Sequence, residues 1–90
     1  MSERQDRVSS LAGKAILITG ASSGIGAGVS AHLASFGTRL SLVARNKEAL
    51  EGVAATCLAA GAKEVLTLSY DLAEEKNCEL AVEKTVEKFK

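Results

Sequence analysis

The sequence predicts an α/β unit in which three parallel strands alternate with three helices, and three observations predict it. Short apolar runs at 14–20 (KAILITG), 39–44 (RLSLVA) and 64–70 (EVLTLSY) read as strands, the first of them suited to burial on both faces. After each run, apolar residues recur at steps of three and four, the period of a helix. The connections are only a few residues long, so each helix must carry the chain back to begin a neighbouring parallel strand. Right-handed crossovers then set the strands in spatial order 3-2-1.

Each element has its own signal. In the first helix Ile25, Val29, Leu33 and Phe36 form the apolar stripe, and Gly37 stops it. Asn46 is a suitable N-cap for the second helix, where Leu50, Val53, Ala54, Cys57, Leu58 and Gly61 trace one face and Gly61 closes the last turn. The third helix is expected from about Ala73, with Cys78, Val82, Thr85, Val86 and Phe89 on its apolar side. Residues 1–11 read as a polar tail, and 12–90 as one continuous unit without a linker or repeat.

Composition narrows the function classes. A chain of 90 residues with 47% hydrophobic and 24% charged residues is a small globular unit, not a disordered one. Its zero net charge gives no reason to propose a nucleic-acid or membrane partner. The charge is nevertheless uneven. No acid lies between Asp6 and Glu48, while Arg7, Lys14, Arg39, Arg45 and Lys47 lie in or beside that gap. An anionic ligand near the first half fits this, and so do solvated charges. Cys57 and Cys78 are too few for a disulfide framework or a metal site, and both are expected in the core. No apolar run reaches the about 20 residues of a membrane span, and the opening MSERQDR, with acids and no apolar core, is expected to be neither a signal nor a transit peptide. A reducing, cytoplasmic setting is expected.

The stretch ITGASSGIGAGV at 18–29 carries the chemistry. A helix that follows a parallel strand directly presents unpaired N–H groups and the positive end of its dipole at the sheet's carboxyl edge. Phosphate binds there when no Cβ intervenes. Gly20 permits the tight turn, Gly24 lets a pyrophosphate approach the backbone, and Gly26 lets the helix lie close to the strand. A plain turn is the competing reading, but the strand before and the amphipathic helix after favour a nucleotide. A P-loop is excluded because no Gly-Lys-Ser/Thr follows.

Thr19-Gly20-Ala21-Ser22-Ser23-Gly24-Ile25-Gly26 resembles the Thr-Gly-x-x-x-Gly-x-Gly motif of the short-chain dehydrogenase/reductase family, and Gly13-Lys14 and Asp71-Leu72 resemble its flanking habits. The resemblance runs from about Leu11 to Phe89. It implies a Rossmann-like three-layer α/β/α architecture of which this sequence is the first half, and a dinucleotide cofactor. Thr19, Gly20, Ser22, Ser23, Gly24, Ile25 and Gly26 are then expected at the cofactor, Ser22 and Ser23 with free hydroxyls beside the ribose and phosphate. Gly28 departs from the alanine more common in the family.

The end of the second strand bears on cofactor choice. A carboxylate there would bind both ribose hydroxyls of NAD and repel a 2′-phosphate. This sequence has Ala44-Arg45-Asn46 instead, and a guanidinium pairs with phosphate through a planar fork of donors. NADP(H) is therefore the expected cofactor, with NAD(H) as the alternative and Arg45 and Asn46 as cofactor residues. The resemblance implies that Asp71 bonds the adenine amino group and that the backbone of Leu72 meets the ring. Asp71 with Glu74 is also readable as a capping pair.

No catalytic or metal-binding residue is expected within these 90 residues. His32 reads as an ordinary helix residue. Tyr70 is followed four positions later by Glu74, so it does not match the family's Tyr-x-x-x-Lys pair, and it is expected to pack at the core or its rim. The resemblance places the catalytic serine, tyrosine and lysine beyond Lys90. The chain by itself is expected to lack hydride transfer, and a carbonyl or alcohol substrate is expected only for a complete protein. The rivals are a non-enzymatic nucleotide-binding module that completes its sheet with another chain through an open edge, and, more weakly, a methyl transferase.

Overall fold

The computed structural model describes residues 11–89, so the polar tail expected over 1–11 lies outside them except for Leu11. Strands β1 (Ala15–Thr19), β2 (Arg39–Ala44) and β3 (Glu64–Ser69) alternate with helices α1 (Gly24–Ala34), α2 (Lys47–Ala60) and α3 (Glu75–Phe89). The sheet is wholly parallel in the order β1-β2-β3, with Ala15 opposite Arg39 and Arg39 opposite Glu64. This is the strand order predicted from the sequence, but the expectation of burial on both faces is corrected for β1, which has no fully buried residue; β3 has only Leu68. The order makes β2 the central strand, and the four consecutive residues Leu40, Ser41, Leu42 and Val43 are all buried.

Side chains of β2 alternate between two helix layers, as the pleat requires. Leu40 and Leu42 join Ala21, Ala34, Leu50 and Cys57 in one cluster, on the side of α1 and α2. Val43 joins Leu68 and Ala81 on the side of α3. Burying a leucine such as Leu50 contributes about 1.5–3 kcal/mol. Ser41 also faces α3, where Thr85 Oγ1 lies 2.7 Å from both the Ser41 hydroxyl and the Ala81 carbonyl oxygen. A hydroxyl has one proton to give, so Thr85 donates to the carbonyl and accepts from Ser41. Burial of these polar groups is thereby matched by partners.

The amino end of β2 is closed by Arg39. Its Nε donates to the Gly13 carbonyl and its Nη1 to the Phe89 carbonyl, each at 2.9 Å. The guanidinium also lies over the Phe89 ring, 5.4 Å from the centroid. One side chain thus ties the approach to β1 to the end of α3.

Several residues of the expected helix stripes are not buried. In α1, Ile25 is 84% exposed and Val29 is exposed, while the buried positions are Ser30 and Ala34. The Ser30 hydroxyl donates to the Gly26 carbonyl at 2.7 Å. Leu58 in α2 and Cys78, Val82 and Val86 in α3 are exposed as well; of its expected stripe α3 buries Thr85 and Phe89, and it adds Ala81. Each helix lays one flank on a sheet of three strands, and its apolar surface is wider than that contact. Cys57 is buried as expected, which pushes its thiol pKa up and keeps it protonated at neutral pH. The expectation that Cys78 is a core residue is corrected.

The start of α3 also differs, at Glu75 rather than Ala73. Asp71 Oδ1 accepts the Ala73 N–H at 2.9 Å, which holds 71–74 as a turn before the helix begins.

Candidate functional site

Two short connections lie side by side at the carboxyl edge of the sheet. After β1, the Ala21 N–H donates to the Val43 carbonyl at 3.2 Å, so the turn is tied to β2. Gly20 takes φ of +62°, a conformation that a side chain would strain. Ser23 is the N-cap of α1: its hydroxyl donates to the Gly20 carbonyl at 2.9 Å and accepts the Gly26 N–H at 3.0 Å. The expectation of a free Ser23 hydroxyl is therefore corrected, because both of its hydrogen-bonding roles serve the turn. The N–H groups of Gly24 and Ile25, the first two helical residues, have no intrahelical acceptor by the geometry of the α-helix.

The glycines divide sharply. A Cβ on Gly26 would overlap the Gly20 carbonyl oxygen and sit 2.9 Å from its carbon, so the helix start and the turn touch through bare backbone. A Cβ on Gly24 would meet nothing within 4 Å. Gly26 is required by the fold, whereas Gly24 opens onto free space.

After β2, the chain passes into α2 through Arg45 and Asn46. Asn46 Oδ1 accepts the Ala49 N–H at 3.0 Å, the N-cap expected from the sequence. The Tyr70 N–H donates to the Ala44 carbonyl at 3.1 Å, and the Ser69 hydroxyl donates to the Arg45 carbonyl at 2.9 Å. After β3, the Asx turn at Asp71 uses one carboxylate oxygen and leaves the other outside that turn. Both readings of Asp71 remain compatible, since a residue can hold the turn and line a site.

These segments enclose an open cleft of about 450 Å³ lined by Gly20, Ser22, Ser23, Val43, Ala44, Arg45, Asn46, Tyr70, Asp71, Leu72 and Ala73. Of the eleven cofactor residues expected from the sequence, seven line it; Thr19, at the end of β1, and Gly24, Ile25 and Gly26, at the start of α1, do not. Ala44 lines it at the position read for cofactor choice, and Val43, Tyr70 and Ala73 were missed. Tyr70 is half-buried and packs against the Val43–Leu68–Ala81 cluster while also facing the cleft. The available signal was position alone: residues following a parallel strand gather at its carboxyl edge. Lys14 and Arg39 lie at the opposite edge, so the basic residues of the acid-free stretch do not converge on one site.

Among the described residues there is no cluster of His, Cys, Asp and Glu able to hold a metal ion, and no helix long and apolar enough to cross a membrane. The chemistry on offer is main-chain N–H groups at a helix start, one guanidinium, serine hydroxyls and a carboxylate. Such a set has the donors and acceptor that recognition of a phosphorylated nucleoside requires.

Comparison with known proteins gives the same picture. The family described as short chain dehydrogenase matches residues 14–90. An 11-beta-hydroxysteroid dehydrogenase-like 2 protein of Arabidopsis thaliana is 42% identical over 77 residues, covering 86% of this chain and 25% of the relative. Levodione reductase superposes with a TM-score of 0.83 at 38% identity, over 88% of this chain and 31% of that one. NAD+-bound xylitol dehydrogenase gives 0.83 at 33% identity, over 88% and 30%. The chain thus spans about a quarter to a third of the length of these proteins.

Proposed function

The chain belongs to the short chain dehydrogenase family, and we propose that it is the part of an NADP(H)-dependent oxidoreductase that holds the adenosine and diphosphate of the cofactor. The observation carrying this reading is the pairing of the Gly20–Gly26 turn with Arg45 across one cleft that has no carboxylate at position 44. The open space at Gly24 and the contact at Gly26 fit a diphosphate laid against bare backbone. In this reading the N–H groups of Gly24 and Ile25 with Ser22 hold the diphosphate. Arg45 and Asn46 take the 2′-phosphate, and Asp71 and Leu72 meet the adenine. Thr19 ends the strand that sets the turn. When bound, the nicotinamide supplies or accepts a hydride at a carbonyl or alcohol carbon of the substrate.

The 90 residues themselves are proposed to bind without catalysing hydride transfer. Their single tyrosine, Tyr70, is followed at the fourth position by Glu74, so it does not form the Tyr-x-x-x-Lys pair of the family. A cytoplasmic setting belongs to the same proposal and is supported by two unpaired thiols.

Calorimetric titration with NADPH and NADH tests the reading. Tighter binding of NADPH is expected; equal affinity or a preference for NADH removes the NADP assignment, and no affinity for either removes the dinucleotide site. Incubation with NADPH and a carbonyl panel should show no oxidation above the buffer blank, and turnover would overturn the non-catalytic part.

A second reading has one observation in its favour. β1 is an edge strand among the described residues, and α1 and α3 expose Ile25, Val29, Val82 and Val86. A nucleotide-binding module that completes its sheet with another chain would use such an edge. Sedimentation analysis tests the self-pairing form of this second reading, since a concentration-independent monomer excludes pairing with a second copy.

A further inference from the structure

The connection between β2 and α2 has only two residues outside regular structure, Arg45 and Asn46, and each main-chain carbonyl through it is held. The Ala44 carbonyl accepts the Tyr70 N–H at 3.1 Å and the Asn46 carbonyl accepts the Leu50 N–H at 3.0 Å, both main-chain bonds. Between them, the Arg45 carbonyl is held by a side chain, the Ser69 hydroxyl at 2.9 Å. Ser69 stands opposite Ala44 in the sheet register, so its hydroxyl continues the β2–β3 ladder one step past the point where the strands part.

We propose that Ser69 is a positioning residue for cofactor choice: by fixing the peptide of Arg45 it aims the guanidinium at the 2′-phosphate of the adenosine ribose. The inference rests on the NADP(H) reading above and adds a residue that touches no part of the cofactor in it. The physical reason is leverage. A guanidinium lies at the end of a long side chain, so a modest rotation of its own peptide moves the fork away from a phosphate whose recognition depends on planar alignment. Ser69 is exposed and is not among the residues lining the cleft, so it acts through Arg45.

The test compares binding of 2′,5′-ADP and 5′-AMP, which differ by the 2′-phosphate alone, by calorimetry on the full chain. The ratio of the two affinities is the readout, because general loosening of the cleft weakens both ligands and cancels. The wild-type chain should favour 2′,5′-ADP. Ser69→Ala should reduce the ratio about fivefold, the order expected for one lost hydrogen bond. Ser69→Thr and Ser69→Val have the same shape and both suit a strand, so they cover the case in which alanine disturbs the sheet. Threonine should keep the wild-type ratio and valine should lose it as alanine does. If the wild-type chain does not favour 2′,5′-ADP, or Arg45→Ala leaves the ratio unchanged, the NADP(H) reading falls and this inference falls with it. If Arg45→Ala abolishes the preference while Ser69→Ala and Ser69→Val retain it, the inference alone is overturned.

Discussion

The two ends of β2 each carry an arginine, and the fold uses them in opposite ways. Arg39, at the amino end, spends its donors on the carbonyls of Gly13 and Phe89 and lays its plane on an aromatic ring. Arg45, one residue past the carboxyl end, is exposed on the wall of a cleft, and only its backbone is held. Nothing in the residue type separates them. What separates them is which edge of a parallel sheet they occupy: the amino edge is where chain segments must be tied together, and the carboxyl edge is where helix starts leave N–H groups unpaired.

Breaking the amino end should have the largest effect. Arg39→Ala leaves two carbonyls without their charged donor and uncovers Phe89, at a cost of about 3 kcal/mol. Denaturant unfolding should show the loss as a lower midpoint. The ratio of NADPH to NADH affinity, measured where the variant is still folded, should stay the same. Arg39→Lys should recover only part of the stability, because a single ammonium cannot reproduce the fork and the stacking together. A changed cofactor ratio in Arg39→Ala would dissolve the distinction between the two ends.

The turn at the carboxyl edge comes next. Gly26→Ala forces the start of α1 away from the Gly20 carbonyl, a backbone clash that no rotamer relieves. A cost of about 2 kcal/mol in stability is expected, together with loss of nucleotide binding, since the same displacement moves the Gly24 and Ile25 N–H groups. Retained affinity in a folded Gly26→Ala chain would mean that the diphosphate does not use this turn. Arg45→Ala should be the converse of Arg39→Ala: stability within about 0.5 kcal/mol of wild type, but a tenfold or greater fall in the preference for NADPH, about 1.4 kcal/mol.

Much of this was legible in the sequence, for identifiable reasons. Strand bounds and order followed from short apolar runs, and the Asn46 cap and the glycine turn from chemistry that few other residues provide. The packing of the helices was less legible. An apolar period marks Ile25, Val29, Val82 and Val86 without saying what covers them, and the buried stripe of α1 is built on Ser30 and Ala34. Small residues let that helix lie close, and hydrophobicity does not register them. Ser23 was misjudged because a hydroxyl's partners depend on a turn that sequence alone does not draw. The cleft positions of Val43, Tyr70 and Ala73 come from where strands end, not from residue type.

The smallest expected effect sharpens the comparison within a single helix. Gly28 lies two residues beyond Gly26, is exposed, and a Cβ there would meet nothing within 4 Å. Unlike Gly26 it has no contact that requires the absence of a side chain, so it keeps only the disadvantage of glycine in a helix. Gly28→Ala should therefore raise stability by about 0.5–1 kcal/mol, read as a higher unfolding midpoint with an unchanged denaturant slope. Nucleotide affinity should not change, because the free N–H groups belong to Gly24 and Ile25, at the start of the helix and before position 28. A loss of affinity in Gly28→Ala without a loss of stability would extend the ligand's contact along α1, and the boundary drawn here between the turn that binds and the helix that supports it would have to move.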